Sequence, residues 1–177
     1  MKLFKLLFLI FLGFSCTIFS QTTGNRTVAV TLPVVTLMDV EPAGTIAINF
    51  VAPTDAGRPV TAPAANTAKW INYTSAIAPG GLSRRITASI NQVLPGIDIK
   101  IQAATASGSG GGTLGTPSAQ VTLTTTAQTI ISGIGGAFTG TGANNGHRLT
   151  ITLSANTYAN LSARTNTPVV ITYTITE

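Results

Sequence analysis

The sequence predicts an all-β protein, a single β-sandwich of about eight or nine antiparallel strands. Residues 168–176 read PVVITYTIT, in which apolar and polar side chains alternate with the period of a β-strand. Short β-branched runs of the same kind recur along the chain and are separated by Gly, Pro, Asn and Ser. Charged residues make up only 8% of the chain, and no window keeps a helical period, so helices are not expected.

Residues 1–20 are expected to be a secretory signal peptide. Two lysines precede an apolar run over residues 6–14, which is shorter than the ~20 residues that cross a bilayer. The alternatives are an uncleaved membrane anchor and a lipid attached at Cys16. The expected domains are therefore a signal peptide and a β-sandwich over residues 21–177. We expect an exported protein of the periplasm, cell surface or extracellular space, with no membrane span in the mature form.

The charge pattern argues against a nucleic-acid partner. Without the two lysines of the signal peptide, eight basic residues face five acidic ones, a net charge of +3. Arg84 and Arg85 are the only adjacent basic pair after the signal peptide, whereas a phosphate-binding surface needs clustered Lys and Arg. Removal of Cys16 with the signal peptide would leave no cysteine for a disulfide or a thiolate metal site.

Nine runs with strand periodicity follow the signal peptide. The first is interrupted by Pro33, which predicts either an edge strand or two strands with a bend. Turns or loops are expected between the runs, at residues 39–44 and 52–67 and in the glycine-rich stretches 107–116 and 133–146. The predicted strands are residues 27–38, 45–51, 69–75, 83–91, 97–104, 119–125, 127–132, 147–154 and 168–176.

No combination of residues indicates catalysis, a metal or a cofactor. His147 is the only histidine, and it is expected to begin a strand rather than to serve a catalytic triad or a zinc site. Asp39 and Glu41 could form a weak calcium site, but solvated turn acids are the simpler interpretation. The glycine-rich stretches lack the helix and lysine of a phosphate-binding loop. The protein is therefore not expected to be an enzyme.

Two aromatic residues of one predicted strand could face a ligand. Trp70 and Tyr73 are three residues apart, so their side chains point to opposite faces of the strand. One is expected to lie in the core, and the other could stack on a sugar or contact another subunit.

The chain resembles small exported bacterial surface proteins with an Ig-like sandwich, namely chaperone–usher pilins and spore-coat-U-like proteins. The features that carry the resemblance are the signal peptide, the early alternating segment, the Thr- and Gly-rich strands and the terminal strand of residues 169–176. The short sequences at residues 70–75 and 133–136 also resemble segments of uncharacterised exported proteins of Bacteroidetes.

These observations lead to the hypothesis of a structural or adhesive surface protein that assembles with itself or with other surface subunits. Assembly would be pilus-like and proceed by β-strand addition, in which an extended segment joins the edge of another sheet. The alternative is a carbohydrate-binding module that uses Trp70 or Tyr73. The candidate residues for strand exchange lie within residues 27–37: Val28, Val30, Leu32, Val35 and Leu37.

Overall fold

The computed structural model describes residues 23–177. The chain divides into two units, Met1–Leu32 and Pro33–Glu177. In the first unit, residues 23–32 are described, and they contain neither helix nor strand. The predicted signal peptide lies outside the described residues.

The second unit is all-β, as predicted. Its nine antiparallel strands form one hydrogen-bonded sheet, consistent with a β-sandwich. No helix within residues 23–177 is both long and apolar enough to cross a membrane. The strands are β1 (Val35–Glu41), β2 (Asn66–Ala76), β3 (Arg84–Ile90), β4 (Ile97–Ala103), β5 (Gly111–Pro117), β6 (Val121–Thr122), β7 (Gln128–Phe138), β8 (His147–Ala155) and β9 (Ile171–Thr176), with a 3₁₀ helix at Tyr158–Asn160.

The two halves of the sheet meet at β2. Its first part pairs with β8, its last residues Thr74 and Ser75 pair with the end of β7, and β1 pairs along its other side. The first half-sheet therefore runs β6-β4-β8-β2-β1, and the second runs β9-β3-β7-β5. In this order β1 and β9 are end strands, each paired with one described strand only.

The core is built mainly from isoleucines on the strands of both half-sheets. Because a fully buried aliphatic side chain contributes roughly 1.5–3 kcal/mol relative to an exposed one, this cluster supplies the main attraction between the halves. The large aliphatic side chains that are fully buried are Ile71, Ile86, Ile101, Ile130, Ile131, Ile134 and Leu149.

The strands with the clearest alternation are confirmed. The predicted strands at residues 69–75, 83–91, 97–104, 147–154 and 168–176 overlap β2, β3, β4, β8 and β9. His147 is the first residue of β8, as expected.

The prediction was wrong in two places near the start of the domain. Residues 27–34 form no strand; β1 begins at Val35, after Pro33, and continues to Glu41 through the predicted turn. Residues 45–51 form no strand either, apart from a single bridge between Val51 and Thr61. Ile46 and Ile48 nevertheless pack against the core, so their alternation reflects burial without backbone pairing.

The prediction also failed in the glycine-rich stretches, each of which contains part of a strand. β5 begins at Gly111, inside the first predicted loop, and β7 continues to Phe138, inside the second. These two strands pair with each other, and the register shifts between Gly112 and Leu114. The predicted strand at 119–125 shortens to the two residues of β6.

Candidate functional site

The predicted donor segment divides into two parts. In the first part Val28, Val30 and Leu32 are 80%, 84% and 81% exposed, and residues 27–34 pair with no strand of the described chain. In the second part Val35 and Leu37 already belong to β1, where they pair with Ala76 and Thr74. Residues 27–34 therefore have no strand partner within the described chain, whereas Val35 and Leu37 are already paired along one edge of β1.

β9 is the end strand of the second half-sheet and lacks the usual protection of an exposed edge. It pairs with β3 from Ile171↔Ile90 to Thr176↔Arg85. Its apolar side chains Ile171, Tyr173 and Ile175 pack against the core but are only half-buried. Natural edge strands are commonly guarded by Lys, Pro or a bulge, and the six residues ITYTIT contain none of these.

Arg84 links the beginning of β1 to the end of β9. Its side chain is 3% exposed. One guanidinium nitrogen donates to the carbonyl of Val35 at 2.5 Å and to Ser75 Oγ at 2.9 Å. The other lies 3.5 Å from Glu177 Oε1. The residue at which β1 starts is therefore fixed beside the C-terminal end of the β9 edge.

The two candidate aromatic residues face opposite sides of β2, as predicted. Tyr73 is 3% exposed and belongs to the core. Its hydroxyl donates to the carbonyl of Leu114 and lies 3.0 Å from Nε2 of the fully buried His147. Burial raises the pKa of Tyr73 and lowers the pKa of His147. Neither side chain is available to a soluble ligand.

Trp70 lies on the outer face of the first half-sheet and is half-buried. In the strand register it stands between Glu41 on β1 and Arg148 on β8. Because cross-strand neighbours share a face, an aromatic ring, a carboxylate and a guanidinium form one row across this surface.

A shallow groove lies between β1, the second half of β2 and the loop at Gly140 and Thr141, and we call it the β1–β2 groove. It is lined by Leu37, Met38, Asp39, Glu41, Asn72, Tyr73, Thr74, Gly140 and Thr141. From the sequence, Asp39 and Glu41 are candidates for a weak calcium site, but they are predicted to lie in a turn. The missing signal was the register of β1, which sets Asp39 opposite Asn72.

Comparisons with protein-family models, with curated proteins and with solved structures found no match to this chain. The surfaces described above are therefore interpreted from their own chemistry.

Proposed function

We propose that this chain is an exported, non-enzymatic structural or adhesive surface protein that assembles by β-strand addition. The donor is the segment of residues 27–34 of one molecule, and the acceptor is the β9 edge of another copy or of a related surface subunit. The observation that carries the proposal is the exposure of Val28, Val30 and Leu32, at 80%, 84% and 81%, in a segment without a strand partner among the described residues.

The chemistry of the donor segment supports this role. Three apolar side chains at alternate positions would fall on one face once the segment becomes a strand. While these side chains are exposed to water they contribute no burial energy. Each would contribute roughly 1.5–3 kcal/mol to binding if an acceptor buried it fully. In strand addition, backbone hydrogen bonds give affinity, and pockets for alternate side chains give specificity.

The acceptor is supported by the half-buried face of β9. An apolar row that packs against the core on one side only can be completed by a further strand along the same edge. The outer edge of β1 is also unpaired within the described residues, but β1 carries Asp39 and Glu41, and charge on an end strand opposes strand addition.

Truncation tests the proposal. We would compare residues 21–177 with residues 35–177, because the shorter chain removes the whole donor and keeps all of β1. We expect polymers or rings from the longer chain, and monomers from the shorter one with an unchanged urea midpoint. Light scattering and negative-stain microscopy report the assembly state. A monomeric longer chain would contradict strand exchange between copies of this chain, and an unfolded shorter chain would show that the segment is a structural part of the domain.

A second function, carbohydrate binding, is favoured by the position of Trp70. A half-exposed aromatic ring beside carboxylates and an amide is the combination that stacks on a sugar ring and bonds its hydroxyl groups. A glycan screen with Trp70→Ala tests this candidate. The control is Tyr158→Ala, because Tyr158 is 54% exposed and lies in the 3₁₀ helix, away from the row of Glu41, Trp70 and Arg148. Equal binding by both variants would exclude Trp70 as the site.

A further inference from the structure

Three oxygen-bearing side chains converge in the β1–β2 groove. Asp39 and Glu41 are two residues apart on β1, so their carboxylates lie on the same face of the strand. Asp39 is the register partner of Asn72, and Glu41 is the partner of Trp70. Asp39, Glu41 and Asn72 all line the groove.

These groups lack a positive partner. The ion pairs of the described residues join Arg84 to Glu177 and Lys100 to Asp98, so Asp39 and Glu41 form none. This is unexpected in a chain with ten basic and five acidic residues. One oxygen of Asp39 accepts the N–H of Val40 at 2.7 Å, which leaves the rest of both carboxylates open to a ligand.

Asn72 provides an independent sign of a missing ligand. The side chain is 7% exposed, and its amide nitrogen donates to the carbonyl of Asn145 at 2.7 Å. Its Oδ1 is buried and accepts no hydrogen bond from any described residue. A buried acceptor without a partner is costly, and in native proteins it commonly indicates a water or an ion at that place.

Nearby basic side chains do not supply the missing charge. No basic residue lines the groove among the described residues. Lys69 is turned to the inner face, where its amine donates to the carbonyls of Pro42 and Gly44. Arg148 shares the outer face, but Trp70 stands between it and Glu41 in the register.

We propose that the β1–β2 groove binds a divalent cation, Ca²⁺ in preference to Mg²⁺, through Asp39, Glu41 and Asn72 Oδ1. Ligands that are all oxygens select a hard cation, and Ca²⁺ accepts an irregular shell completed by water, whereas Mg²⁺ demands near-ideal octahedral geometry. Residues 23–177 contain no group of three or more His, Cys, Asp or Glu that could hold a metal, and the proposed site differs from such a group in having two carboxylates and one amide. Two carboxylates indicate weak binding, on the order of 10⁻⁴–10⁻³ M.

Terbium luminescence tests the proposal directly, because Tb³⁺ can replace Ca²⁺ and be sensitised by a nearby indole. Trp70 is the only tryptophan of the sequence and is the register partner of Glu41. We expect saturable Tb³⁺ emission on excitation of purified residues 21–177, displaced by Ca²⁺ more readily than by Mg²⁺. Asp39→Asn and Glu41→Gln should each weaken binding by at least about tenfold, as expected for the loss of 1.4 kcal/mol or more.

Two controls make the result decisive. Asp55→Asn makes the same charge change at an exposed residue outside the groove, and it should leave the titration unchanged. Trp70→Phe should abolish the emission excited at wavelengths that indole absorbs and tyrosine does not, but it should keep the Ca²⁺-dependent rise in the thermal unfolding midpoint. Emission that does not saturate, or that Asp55→Asn weakens as much as Asp39→Asn does, would overturn the proposal. Circular dichroism without cation checks that each variant is folded.

Discussion

His147, the single histidine of the sequence, is fully buried inside the sandwich. Its ring stacks on Tyr73 with centroids 5.8 Å apart. Nδ1 lies 2.8 Å from the carbonyl of Ala104, and Nε2 lies 3.1 Å from the carbonyl of Leu114. Burial lowers the pKa of His147, against the opposing effect of the carbonyls of Ala104 and Leu114.

The lowered pKa predicts that the domain loses stability on mild acidification. The unfolded histidine titrates near 6.5, above the folded value, so the unfolded state binds more protons as the pH falls through this region. The free energy of unfolding should therefore fall below about pH 6.5, by about 1.4 kcal/mol for each unit between the two pKa values. Urea unfolding at pH 7.5 and 5.5 measures the effect. A pH dependence of the same size in His147→Gln would assign it to other groups.

The alternation of side chains along a strand explains which residue positions could be predicted from the sequence. Opposite faces for Trp70 and Tyr73 follow from their spacing alone, but which of them is buried depends on β8, about 75 positions along the chain. Arg84 is an even number of residues from the buried Ile86, Ala88 and Ile90, so its side chain points to the same inner face of β3. Its partners at Val35 and Glu177 are distant in sequence, so no local pattern could name them.

At the scale of elements, glycine limits what a sequence pattern can reveal. β5 and the second half of β7 contain glycines that leave no alternation of side chains, so these parts were predicted as loops, whereas the first half of β7 overlaps the predicted strand at 127–132. At Gly112, φ is +87° and an added Cβ would lie 2.2 Å from the carbonyl oxygen of Gly136. Close approach of the two backbones, rather than flexibility, is the reason for glycine at this position.

This contact predicts unequal effects for two neighbouring glycine substitutions. Gly112→Ala should destabilise the domain by about 2 kcal/mol or more, because it combines a left-handed backbone with a clash against Gly136. Gly136→Ala should be neutral or slightly stabilising, since a Cβ there meets no atom within 4 Å and φ is not positive. Urea unfolding of both variants measures the difference. Similar losses in the two proteins would show that the close approach is not what constrains Gly112.

The segment of residues 45–51 shows why a sequence pattern can predict a strand that does not form. Its alternation was real, because Ile46 and Ile48 pack against the core, yet no ladder forms there. Alternation reports which side chains are buried on an extended chain, whereas pairing needs a neighbouring strand in register. A single sequence contains the first kind of information and lacks the second.

At the scale of the whole molecule, the two segments that are proposed to contact each other are both uncharged. Residues 27–34 (TVAVTLPV) and β9 (ITYTIT) contain no charged side chain, although the whole chain carries a net charge of +5. Strand addition between them would depend on backbone hydrogen bonds and apolar burial, which salt does not screen. Assemblies formed in this way should persist in 1 M NaCl, where the Debye length is only about 3 Å.

A pair of adjacent substitutions then distinguishes strand addition from non-specific association. Val30 and Thr31 are both exposed and lie outside any strand of the described chain, so neither Val30→Asp nor Thr31→Asp should change the unfolding midpoint. In a bound strand, however, Val30 points into the acceptor and Thr31 points away. Val30→Asp should therefore weaken assembly roughly 10- to 100-fold, the equivalent of about 1.5–3 kcal/mol of lost burial. Thr31→Asp should leave the assembly nearly intact. Sedimentation at matched concentrations measures both, and equal losses would mean that the segment does not bind as a β-strand.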